Sequence, residues 1–123
     1  MGYAFNLDDY QWWLANTYSG SFNNAVQTPT ERELVLWLGL IGETGELCEK
    51  VKKVKRGDLG ELSEEEKEIF NRRLLLEFGD IIAYLTLLMS LYDVNLEAAI
   101  IANQRKLEAR LANSTQHGSG DLR

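Results

Sequence analysis

Residues 74–92, LLLEFGDIIAYLTLLMSLY, contain fourteen apolar side chains in nineteen positions, yet Glu77 and Asp80 stand in the first half of the run. A stretch of this length and character reads either as a bilayer span or as a core helix of a helical domain. Two carboxylates in hydrocarbon are an expensive placement without a partner, so the reading is a buried helix of a soluble domain, with no membrane as partner. The flanking residues extend that reading to the whole chain. Ser63 and Glu66 form a capping box that opens this helix, and the pattern closes near Tyr92. Upstream, Thr30 and Glu33 make a second T-x-x-E box ahead of ERELVLWLGLIGETGELCEKVKKVKR, which Gly57 stops after a last turn rich in Lys and Arg. Asn6 caps a first helix over 7–18, and Asn95 caps a fourth from 96 to about 111. No segment reads convincingly as a strand. Short connections make the two long helices antiparallel neighbours, so the expected fold is all-α, a four-helix bundle-like architecture.

With 123 residues and 45% hydrophobic content, 1–123 is expected to be a single domain with its own core, and 113–123 a flexible polar tail. The formal charge of -6 argues against a nucleic-acid polymer as partner, because such binders present a basic face. Small anions stay possible where cations are supplied locally. The one cysteine, Cys48, rules out an internal disulfide and is expected to act as a small buried hydrophobe between Leu47 and Val51. MGYAFNLDDYQWW has acids where a signal peptide has a basic region, and position 6 is Asn where a myristoylation pattern has Ser or Thr. The expected location is cytoplasmic.

Residues at i, i+3 and i+7 of a helix lie within roughly 60° of one another. Three such triplets occur: Glu43, Glu46 and Lys50; Glu77, Asp80 and Tyr84; Asn103, Lys106 and Arg110. Antiparallel helices meeting through the first two faces would bring four carboxylates together, and their repulsion calls for a cation. A lone E-x-x-E is more often a solvated face or half of an ion pair. The doubled pattern inside an apolar turn favours metal, although Arg72 and Arg73 are available to pair with Glu77. Oxygen-only ligands suit Mg²⁺ or Mn²⁺, and the absence of helical histidines excludes a di-iron carboxylate bundle. Gly45 and Gly79, each just before the second acid of its pair, suggest a close approach beside the cation. Lys50, Lys52, Lys53, Lys55 and Arg56 after the first acid pair, with Lys106 and Arg110, are most often solvated charges but beside a divalent ion would become phosphate contacts, and Tyr10, Trp12, Trp13 or Trp37 could stack on a base.

At these residues the chain resembles the MazG-type all-α nucleoside triphosphate pyrophosphohydrolases, particularly their short, single-domain, phage-like members. The family pattern E-x-x-E, spacer, E-x-x-D is met by Glu43, Glu46, Glu77 and Asp80, and LDDYQWWLANTY, GLIGETGELCEKVKKVKR, LLLEFGDIIAYL, ANQRKLEAR and HGSGDLR follow the family's helices and tail in order. The resemblance implies Mg²⁺-dependent hydrolysis of a (deoxy)nucleoside triphosphate to the monophosphate and pyrophosphate. It implies that the four acids hold the metal and that Glu43 or Glu46 activates water. Lys50, Lys53, Asn103, Lys106 and Arg110 are then phosphate candidates, with Tyr84 near the sugar and Trp13 near the base. A homo-dimer or homo-tetramer is also implied. Two rival readings are a phosphoribosyl-ATP pyrophosphohydrolase and a non-catalytic helical adaptor.

Overall fold

The computed structural model describes residues 4–18 and 28–113, and among these the chain is all helix. Helix α1 spans Leu7–Trp13 and widens into a π-helical turn over Leu14–Tyr18; α2 spans Pro29–Arg56, α3 Glu64–Leu91 and α4 Leu96–Ala112. Of the loop expected at 19–29, residues 19–27 lie outside the described residues, as does the tail beyond Asn113, while Thr28 and Pro29 belong to the head of α2.

Side-chain caps set most of the boundaries. Asn6 accepts from Asp9 N, Ser63 and Glu66 complete a reciprocal box, and Asn95 accepts from Ala98 N, each satisfying an orphan donor of the first turn. Gly57 ends α2 in the left-handed region at φ 82°, where a Cβ would be penalised. One boundary differs from the expectation. The box that opens α2 is Thr28 with Glu31, not Thr30 with Glu33. Pro29 decides the register: it is preorganised for the first helical position and pushes the residue before it into the extended region, where Thr28 is found at ψ 160°.

Helices α2 and α3 pack along one another as the main contact of the molecule, while α4 packs chiefly on α1. Leu14, Leu36, Leu87 and Leu88 form the buried core, with Tyr10, Leu40, Ala83 and Tyr84 against it. Gln11 fastens α1 to the turn between α3 and α4: its amide donates to Val94 O at 2.9 Å, and its carbonyl accepts from Leu96 N at 2.8 Å. The 74–92 run is buried on one face only. Leu75 and Leu76 are 73% and 69% exposed, because no helix among the described residues covers the outer side of α3. Cys48 is exposed rather than buried, since it stands one helical step, about 100°, from the buried Leu47.

Thr28→Ala is expected to lower stability by about 1 kcal/mol through loss of the cap, whereas Thr30→Ala stays within about 0.5 kcal/mol of the parent. Urea melts of the two variants check the boundary.

Candidate active site

Because α2 and α3 run antiparallel, moving down α2 from Gly39 through Glu43 to Lys50 moves back along α3 from Tyr84 through Asp80 to Glu77. Each pair meets across the seam. Carboxylate oxygens of Glu43, Glu77 and Asp80 lie within 4.8 Å of one another. Glu46, a turn further along α2, is exposed and outside this group, although its charge is felt by both Glu43 and Lys50. The arrangement is thus three carboxylates at close quarters with a fourth alongside.

The electrostatics follow from that crowding. The Glu43 carboxyl is pushed up, first by burial and then by repulsion from Glu46, Asp80 and Glu77; a hydrogen bond with Glu77 favours its protonated form. Glu77 is pushed down, first by a hydrogen bond from Lys50, whose ammonium is pushed up by the same bond. Lys50, rather than Arg72 or Arg73, is therefore the ion-pair partner of Glu77. Two phenols border the acids. Tyr84 is pushed up by burial and then by Glu43, Asp80 and Tyr18; Tyr10 is pushed up by burial and then by Asp80. The π-helical turn ends at Tyr18, which stacks on Trp13 with ring centroids 5.3 Å apart.

A model of the MazG nucleotide pyrophosphohydrolase domain matches residues 31–114 of the 123-residue chain. The chain belongs to the MazG nucleotide pyrophosphohydrolase family. No curated protein and no solved structure matches it. Membership supports nucleotide pyrophosphohydrolase activity in general for this MazG chain, and the match spans α2, α3 and α4.

Within this MazG fold the residues singled out from sequence separate into three groups. Glu43, Glu77, Asp80, Lys50 and Tyr84 share the α2–α3 seam, and Lys53 joins them at a cavity beside Glu77. Trp13 stands on the aromatic flank, linked through Tyr18 to Tyr84. Asn103, Lys106 and Arg110 are carried by α4, which packs chiefly on α1, and they are not among the groups that shift Glu43 or Glu77.

A Cβ at Gly45 or Gly79 would meet nothing within 4 Å, so the space beside the second acid of each pair is open, whereas one at Gly39 would run into the Tyr84 ring. Gly39 was missed because its partner is set by the register between helices, although its place one turn before Glu43 was visible in the sequence.

Gly39→Ala should cost about 1–3 kcal/mol by forcing the Tyr84 ring aside. In a Tyr84→Ala background the sign should reverse, since Ala is then favoured over Gly in a helix by about 1 kcal/mol. A double-mutant cycle from chemical melts reads the coupling.

Proposed function

We propose that the chain hydrolyses (deoxy)nucleoside triphosphates to the monophosphate and pyrophosphate with Mg²⁺, for which Mn²⁺ can substitute, in the removal of unwanted nucleotides. The observation that carries the reading is the meeting of Glu43, Glu77 and Asp80 across the seam. The donor set fits a hard divalent ion: every donor is a carboxylate oxygen, and no histidine or cysteine belongs to the cluster. Glu43, Glu77 and Asp80 would hold it, with Glu46 adjacent. When bound, such an ion neutralises phosphate oxygens that gain charge as the anhydride breaks.

The remaining steps fall to side chains of this chain. Water adds to one phosphorus of the α–β anhydride as its bond to the bridging oxygen breaks, and pyrophosphate leaves. Glu46, exposed and outside the three that would hold the ion, is the carboxylate left to orient that water and take its proton. Lys50 and Lys53 meet phosphate oxygens. Tyr84, fixed against Gly39 and partly screened from solvent, borders the sugar, with Trp13 further along the same flank. An adaptor role is less well supported, because it gives no reason to gather three carboxylates on one seam.

The same reading includes a homo-oligomer. Leu34, Leu38 and Ile41 form an exposed stripe on α2, and Leu75, Phe78, Ile82 and Leu85 form another on α3. An apolar hollow of about 450 Å³ also lies open between α1, α3 and α4. By length and composition α3 could cross a membrane, but Glu77 and Asp80 on its other face make a second copy of the chain the better cover.

A panel of ribo- and deoxynucleoside triphosphates with Mg²⁺ should release pyrophosphate and no orthophosphate, and EDTA should abolish the release. Release confined to phosphoribosyl-ATP would transfer the chain to the rival reaction, and orthophosphate release would contradict the reading. Sedimentation of the same sample should show a dimer or tetramer and no monomer.

A further inference from the structure

Cations flank the carboxylates on one side, and on the other side α2 and α3 supply none until Arg32 at the head of α2. From Glu33 to Glu49 in α2, from Leu74 to Leu91 in α3, and throughout α1 and its π-helical turn, there is no Lys or Arg. The flank at Tyr84, Tyr10 and Trp13 is therefore aromatic and lacks cations from these segments. On the opposite side of the carboxylates, toward the α2–α3 turn, a cavity of about 130 Å³ opens against Glu77. Phe70 and Leu74 contribute to its apolar floor, and Lys50, Lys53 and Arg73 line it as well.

Three cations line that cavity together with Glu77, and of them only Lys50 is drawn onto the carboxylate. Lys50 is engaged by Glu77, while Lys53 and Arg73 make no ion pair among the described residues. An apolar floor excludes water and strengthens any charge pairing made above it. A purine or pyrimidine would find no acceptor to read its edge beyond Glu77, whereas a diphosphate would find donors on several sides, one of them a planar guanidinium suited to two oxygens at once.

We propose that this cavity seats the β- and γ-phosphates, and afterwards the leaving pyrophosphate, with Arg73 as an additional substrate-binding residue. The triphosphate then lies along the seam in one direction, its diphosphate end toward the α2–α3 turn and its nucleoside end toward Tyr84. Arg73 lies one turn, about 6 Å, before Glu77, which places it beyond the carboxylates on the leaving-group side. The proposal deepens the pyrophosphohydrolase reading and rests on it for the direction of the substrate.

The test is calorimetric titration of the full chain with pyrophosphate and, separately, with a nucleoside monophosphate, both in Mg²⁺, for the parent, Arg73→Gln, Lys53→Gln and Arg72→Gln. Arg72 and Arg73 are both exposed, and Arg72 is not among the cavity-lining residues, so it controls for net charge. Arg73→Gln should weaken pyrophosphate about tenfold, the loss of one charge-assisted contact, with monophosphate affinity unchanged and Arg72→Gln like the parent. Equal losses from Arg72→Gln and Arg73→Gln, or a loss for monophosphate instead of pyrophosphate, would overturn the subsite. The two readings fail separately. Selective weakening of pyrophosphate without triphosphate turnover would keep the subsite and remove the hydrolase. Turnover with pyrophosphate affinity intact in both Arg73→Gln and Lys53→Gln would keep the hydrolase and remove the subsite.

Discussion

Repulsion between carboxylates on facing turns of α2 and α3 is the constraint around which this molecule is arranged. The two helices form the main contact of the structure, so the seam that gives the domain its stability also presses Glu43, Glu77 and Asp80 together. The chain relieves the crowding in two ways that need no ligand. Lys50 reaches across to Glu77, and Glu43 is shifted toward its protonated form. Lys50 is paired with Glu77 and not with Asp80, and the ion pair is partly open to water, where such pairs contribute little. A divalent ion bound by the three acids would remove the repulsion at its source, and the seam is therefore as much a binding site as a packing surface.

Helix α3 shows how one element serves three purposes. One face carries the acids and Tyr84 and continues into the buried Leu87 and Leu88, while Leu75, Phe78 and Ile82 stand on another in solvent. An all-round apolar sequence with two acids is what these demands produce together. Charge is likewise divided around the carboxylates: the basic residues nearest them stand toward the α2–α3 turn, and the aromatic residues toward α1. That asymmetry gives an elongated anionic ligand one favoured direction.

Features set by neighbouring residues were legible in the sequence. The caps at Asn6, Ser63 and Asn95 and the stop at Gly57 depend on side chains within a few positions, and all four stand where the pattern puts them. At the head of α2 two T-x-x-E boxes overlap, and the choice turned on Pro29, a backbone constraint rather than a pattern of side chains. What depended on register between helices was less visible. Helical spacing grouped Glu77 with Asp80 but could not show that Lys50 would reach Glu77, that Gly39 rather than Gly45 or Gly79 would meet a neighbour, or that α4 would pack on α1. Reading 74–92 as a buried helix treated the single chain as covering its own apolar surface, and among the described residues it covers one side.

The central claim, that the seam acids are held together for a cation, is tested most directly by melting the parent and Asp80→Asn in EDTA and in Mg²⁺. Removing one charge from a repelling cluster should leave the variant at least as stable as the parent in EDTA. The gain that Mg²⁺ gives the parent, which arises from binding to the folded state alone, should be largely lost in the variant. A marked loss of stability in EDTA together with an undiminished response to Mg²⁺ would contradict the account and make these carboxylates part of the scaffold.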